Sequence, residues 1–135
     1  MPGITGVAHV ELSVRDMDRS AQWYCKLLGA VEVFRGDSRE NQLKAIAILE
    51  PRSGVVLAFT QHDAEEQSPF NPRRVGLDHV SFAVADPAEL VAWSKHAEEM
   101  GLTHNGIHTE GPVQALVVED PDGIPVEFWY MPSPA

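Results

Sequence analysis

The chain has a single cysteine, few basic residues and no long apolar run, and each scarcity closes off a class of protein. Cys25 alone cannot make an internal disulfide, so the fold must be held by its core, and a reducing cytoplasm is the expected home. No apolar stretch approaches the roughly 20 residues that a membrane span requires. The start, Met1-Pro2-Gly3-Ile4, shows no basic region followed by an apolar one, so no signal peptide is expected. Basic residues number 10 against 20 acidic ones, for a net charge of −10. A phosphate backbone would be repelled, and no Lys/Arg stripe relieves the repulsion, so nucleic-acid binding is excluded. The one basic doublet, Arg73-Arg74, reads as a solvated loop pair rather than an anion site.

What the chain does have is a repeat at an offset of 70 residues. His9-Val10 opens a stretch running through Val14, Asp16 and Trp23, and His79-Val80 opens another running through Val84, Asp86 and Trp93. Further on, Ala45-Ile46-Ala47-Ile48-Leu49-Glu50-Pro51 is echoed by Ala115-Leu116-Val117-Val118-Glu119-Asp120-Pro121. The same offset, carried to its end, places Leu57 opposite Glu127. One half then offers a histidine and a carboxylate, His79 and Glu127, and the other a histidine and an apolar residue, His9 and Leu57.

Within the first half, residues 7–14 alternate between His9, Glu11 and Ser13 on one side and Val10, Leu12 and Val14 on the other, the period of a half-buried strand. Asp16 is placed to cap a helix over 17–28, which Gly29 ends. Strands are expected over 31–35, 43–49 and 55–61, with turns at 36–38 and 51–54. The polar segment 62–74 has a linker's composition. The second half repeats the plan, with a strand over 77–84, a helix over 87–100 and strands near 103–107, 115–119 and 125–130. Asp122-Gly123 forms the last hairpin turn. The expectation is one α+β domain over 1–135, built as a first βαβββ module (5–61), a linker (62–75) and a second module (76–131). In each module the helix covers the apolar side of the sheet, leaving the histidine side open.

Several residues have a chemical and a bland reading. Cys25 sits in a helical pattern with nothing nearby to lower its pKa, and is read as a helix residue rather than a nucleophile. Trp23 and Trp93 occupy matching helix positions and are read as core. His96 is read as surface, His104 and His108 as loop residues, and His62 as a candidate for lining an entrance. Phe70, between two prolines, is read as an anchor rather than a lid. Glu11 shares the face of His9 and is a candidate general base or substitute metal ligand, or else a solvated residue near the rim. Phe59 and Trp129 share the faces of Leu57 and Glu127 by the period of two, and with Leu57 are candidates to wall a substrate cavity.

These runs together, above all Ala8-His9-Val10-Glu11, Asp78-His79-Val80-Ser81 and Asp120-Pro121-Asp122-Gly123-Ile124-Pro125-Val126-Glu127, resemble the vicinal oxygen chelate superfamily, which holds glyoxalase I, extradiol dioxygenases, fosfomycin-modifying enzymes and bleomycin-type resistance proteins. The resemblance spans about residues 5–130. It implies a cup-shaped, eight-stranded mixed sheet made of two βαβββ modules with the helices outside. It also implies a divalent metal (Fe, Mn, Zn, Co or Ni) held by His9, His79 and Glu127, with Glu11 and Glu127 as catalytic carboxylates. Adjacent substrate oxygens would chelate that metal, in a lyase-, isomerase- or dioxygenase-like reaction and in a homodimer. Leu57 at the fourth ligand position argues against glyoxalase I itself. The alternative it leaves open is a metal-free protein that sequesters an antibiotic or metabolite.

Overall fold

The computed structural model describes residues 1–37, 44–62 and 68–134. Two compact units, Met1–Gln67 and Ser68–Ala135, divide the chain. The first contains β1 (Val10–Ser13), α1 (Met17–Leu28), β2 (Val31–Asp37), β3 (Lys44–Glu50) and β4 (Val55–Gln61). The second contains β5 (Val80–Ala83), α2 (Pro87–Glu99), β6 (His108–Glu110), β7 (Val113–Glu119) and β8 (Pro125–Tyr130). The architecture is α+β, and the eight strands fall into two four-stranded mixed sheets ordered β1-β4-β3-β2 and β5-β8-β7-β6. In each, the first strand runs parallel to the last, and the remaining pairs are antiparallel.

The helices begin where the sequence places them. Asp16 accepts a hydrogen bond from the Arg19 amide at 3.0 Å, and Asp86 accepts one from the Glu89 amide at 3.0 Å, each satisfying a donor that the first helical turn leaves open. Gly29 closes α1 at φ 68°, a left-handed conformation that a β-carbon would penalise. Replacing Asp16 by alanine is expected to cost about 0.5–2 kcal/mol, read as a lower denaturation midpoint at unchanged slope.

Each core lies between one helix and one sheet face. In the first unit Tyr24, Leu27, Leu28, Leu12, Ile46, Ile48, Leu57 and Phe59 are buried, with Tyr24 stacked on Phe59 at 4.9 Å. In the second, Leu90, Leu116, Val118, Val126 and Phe128 are buried, and Trp93 stacks on Phe128 at 4.0 Å. The equivalence of Trp23 and Trp93 is therefore shifted by one position: Tyr24 fills the first core, while Trp23 is half-buried and meets Tyr24 edge-on.

The edges depart most from expectation. β2 carries an irregularity in its pairing with β3 between Glu32 and Phe34, and its Gly36 and Asp37 belong to the strand instead of a turn. Ser38 and Leu43 lie outside the described residues. The strand expected over 103–107 is absent. Gly106 there has φ 80°, and its amide donates to the His104 ring at 3.0 Å, a local turn that competes with a ladder. The strand forms later, as the three residues of β6.

Candidate functional site

The sheet face turned away from each helix carries the polar side chains. In the second unit β5 and β8 lie side by side with Ser81 opposite Glu127 and Ala83 opposite Trp129, and β7 places Val117 opposite Glu127 on the other flank. His79 sits one residue before β5. Its Nδ1 lies 2.7 Å from Asp78 Oδ1, and its Nε2 lies 3.7 Å from Glu127 Oε1, an oxygen that also accepts a hydrogen bond from Ser81 Oγ at 2.8 Å. Asp78 thereby selects the tautomer with the proton on Nδ1, so that Nε2 turns a lone pair toward the carboxylate. Two acceptors facing each other at that distance, each already oriented by a second group, suit a shared cation with bonds of about 2.1 Å.

The first unit builds a related group differently. His9 Nε2 lies 4.0 Å from Glu11 Oε1, and Glu11 Oε2 accepts a hydrogen bond from Thr60 Oγ1 at 2.7 Å. Ser13 Oγ and His62 Nε2 are 3.1 Å apart on the same face, where His62 follows β4 directly. In the second unit the carboxylate stands on the last strand and the hydroxyl on the first. In the first unit the two have exchanged strands.

The last strands of the two units also differ in register. β3 pairs Leu49 with Val56, whereas β7 pairs Glu119 with Pro125, so the turn into the last strand is one residue shorter in the second unit. The offset is 70 residues through β3 and β7 and becomes 69 in β4 and β8. Glu127 therefore corresponds to Ala58, which lies opposite Glu11 as Glu127 lies opposite Ser81. Leu57 corresponds to Val126 and Phe59 to Phe128, and all four are buried beneath their helices. This corrects the expectation that Leu57 and Phe59 wall a substrate cavity: they are 1% and 0% exposed, on the opposite side of the sheet from Glu11. The residue at the register of Glu127 in the first unit is Ala58. Sequence signals for the shorter turn do exist, in the turn glycines Gly54 and Gly123 and in Phe59 and Phe128, which stand 69 apart.

Of the candidate residues, then, the structure brings His79 together with Glu127, and His9 together with Glu11. Trp129 keeps the face of Glu127, two residues along β8. Among the described residues no three His, Cys, Asp or Glu side chains gather at one point, and the donors stand as two pairs, one in each unit. Sequence reasoning assigned no role to Asp78, Ser81 or Thr60, which orient the donors.

Other candidates take their bland readings. Burial pushes the half-buried Cys25 thiol up, and Glu32 adds to the shift, the reverse of what a nucleophile needs. Arg73 and Arg74 are exposed, and Phe70 is half-buried. Glu50, in the turn after β3, is held down at about 2 by hydrogen bonds from the hydroxyl and amide of Ser53. No helix among the described residues is long and apolar enough to cross a membrane.

Comparison with known proteins identifies the fold and the family. The family model of the Glyoxalase/Bleomycin resistance protein/Dioxygenase superfamily matches residues 6–128. A solved glyoxylase/bleomycin resistance protein/dioxygenase domain from Frankia sp. EAN1pec is 28% identical, with a TM-score of 0.86 over 98% of this chain and 96% of that one. Catechol-2,3-dioxygenase of Bacillus subtilis is 27% identical over 93% of this chain, which spans 41% of the dioxygenase's length. A mutant of the fosfomycin resistance protein FosX from Listeria monocytogenes, solved with Mn(II) and 1S,2S-dihydroxypropylphosphonic acid, shares the fold. Its TM-score is 0.69 at 17% identity, covering 96% of this chain and 93% of that one.

Proposed function

The chain belongs to the Glyoxalase/Bleomycin resistance protein/Dioxygenase superfamily, and on that premise we propose that it is a divalent-metal-dependent enzyme acting on a small molecule with adjacent oxygen atoms. The observation that carries the proposal is the line Asp78–His79–Glu127, in which a second carboxylate orients the imidazole and frees Nε2 toward the first. A histidine that served only packing would not need its remaining lone pair aimed at a carboxylate oxygen. The named ligands of two relatives support the substrate class, since a catechol and a 1,2-dihydroxypropyl group both present neighbouring oxygens.

In this reading His79 and Glu127 would hold the metal, with His9 as the third ligand that the family resemblance implies. Bound there, it would act as a Lewis acid on the substrate's oxygens, with its remaining positions open for chelation. The protein's own groups do the rest. Asp78 keeps the His79 proton on Nδ1, and Ser81 fixes the rotamer of Glu127. Glu11, held through its other oxygen by Thr60, keeps Oε1 free to accept a proton from the substrate. Trp129 supplies an apolar surface beside Glu127 for the substrate's carbon frame.

The test is metal content of protein purified without chelators, followed by calorimetric titration of stripped protein with Mn(II), Fe(II), Zn(II), Co(II) and Ni(II). One metal per chain is expected, and it is expected to be absent from His79→Ala. Asp78→Asn keeps all three ligands and loosens only the imidazole, so its affinity should fall about 10- to 100-fold. Failure of every metal to bind the native protein would overturn the reading in favour of metal-free ligand sequestration.

A further inference from the structure

β6 covers only the first part of β7, pairing His108 with Ala115 and Glu110 with Val113. Beyond that point the outer flank of β7 is met by the loop at 103–105, and between them lies a cavity of about 280 Å³ lined by Thr103, His104, Asn105, His108, Val117 and Glu119. The face on which it opens follows from the pairing. Val117 and Glu119 are exposed while Leu116 and Val118 are buried under α2, and His108 lies opposite Ala115 on the Val117 side. The cavity therefore opens on the face that carries Glu127, with Val117 standing directly between the two. The His104 ring turns the other way, toward Ser94 at 3.5 Å and Glu98 at 3.4 Å of α2, and closes the back wall.

The chemistry of the lining is one-sided. No lysine or arginine contributes, and Glu119 brings the only carboxylate. No hydrogen bond or ion pair engages that carboxylate among the described residues, and the chain's net charge of −10 adds a field that favours cations. Asn105, Thr103 and the His108 imidazole complete its polar lining. Glu119 is the diagonal cross-strand neighbour of Glu127, two residues past Val117, and such neighbours stand about 7–8 Å apart.

We propose that this cavity receives the cationic end of the substrate, with Glu119 as the counter-ion of an ammonium group whose molecule presents its adjacent oxygens at Glu127. The inference rests on the metal-chelation reading of Glu127 for the second half of that statement, and on the cavity alone for the first. An aromatic diol bearing a two-carbon ammonium arm has the required reach. A substrate ending in a carboxylate or phosphate would meet Glu119 with like charge.

Three catechols that differ only at the end of the arm form the test: dopamine, 4-ethylcatechol and 3-(3,4-dihydroxyphenyl)propionate, each titrated calorimetrically into Mn(II)-loaded protein. The expected order is ammonium over neutral over carboxylate, with each step about fivefold, the size of one exposed ion pair. Glu119→Gln should collapse the order. Glu110→Gln removes the same charge from β6 outside the cavity lining, and should preserve it. An order that survives Glu119→Gln, or that Glu110→Gln erases equally, overturns the proposal. A second arm uses metal-free protein and phenethylammonium, followed through amide shifts. Saturable shifts centred on Asn105, His108 and Glu119 that vanish in Glu119→Gln support the cavity whether or not metal binds at Glu127. Their absence overturns it even if all three catechols bind the metal.

Discussion

Leu57→Glu is expected to leave no folded protein, whereas Ala58→Glu, one residue away, is expected to fold. Leu57 is 1% exposed beneath α1, and its neighbours across the sheet are Val10 and Ile48. Replacing it removes a core side chain, worth about 2–5 kcal/mol, and sets an unpaired carboxylate in its place at a further cost of several kcal/mol. Together these match or exceed the roughly 5–15 kcal/mol that holds a domain folded. Ala58 projects from the other face, opposite Glu11. Ala58 is itself 6% exposed, so a glutamate there meets crowding, desolvation and one like charge, but it deletes no core side chain and spares the roughly 2–5 kcal/mol lost with Leu57. Far-ultraviolet circular dichroism and thermal melts of the two variants check this directly. A folded Leu57→Glu beside an unfolded Ala58→Glu would show that the offset of 70 continues through β4.

Glu127→Gln is expected to lose divalent metal by about a hundredfold or more while keeping its melting temperature within a few degrees. The change is nearly isosteric and keeps an oxygen that Ser81 Oγ can bond, so packing is spared. What goes is the charge, and with it the carboxylate facing His79 Nε2, so the loss should exceed the 10- to 100-fold typical of an orienting residue. Calorimetric metal titration beside a melt of the stripped protein separates the two effects. If the variant binds metal as the native chain does, Glu127 is not a ligand. The contact between His79 and Glu127 is itself partly exposed and would not by itself move stability much.

The fold was largely legible before any coordinates, because its signals are local and stated twice. Asp16 and Asp86 cap, Gly29 and Gly101 stop, and alternation around His9 and His79 marks the two first strands. The four candidates His9, Glu11, His79 and Glu127 were legible for the same reason, standing on strands whose period of two assigns faces. What was misread was the length of the β7–β8 turn relative to its counterpart, because the 69-residue spacings of Gly54 with Gly123 and Phe59 with Phe128 were outweighed by the longer run at 70. A period of two carries no memory of a single residue gained or lost in a turn, yet such a change sends every later side chain to the opposite face. Leu57 and Phe59 were misplaced for that reason alone. Asp78, Ser81 and Thr60 were invisible for another: a residue that orients a ligand needs only a hydrogen-bonding atom in the right place, and no spacing betrays it. The strand at 103–107 failed because a side chain-to-backbone bond at His104 and Gly106 outbid the ladder.

The outermost strands have a bearing on how the protein behaves when concentrated. A long, flat, regular edge strand is a template on which another chain can add itself, backbone to backbone. Here one edge, β2, is interrupted between Glu32 and Phe34 and carries Arg35, whose guanidinium ties Glu32 and Asp18 at 2.7 and 2.6 Å. In the second sheet the corresponding edge, β6, stops after three residues, and the opposite edges, β1 and β5, are four residues each. None of the four presents the long straight run of unpaired amides and carbonyls that fibrillar stacking needs, although Val31, Val33 and Phe34 on β2 are themselves exposed and apolar. Straightening β2 by deleting Val33 would give those side chains a regular edge to sit on, and would turn a chain whose strand ends resist polymerisation into one that invites it.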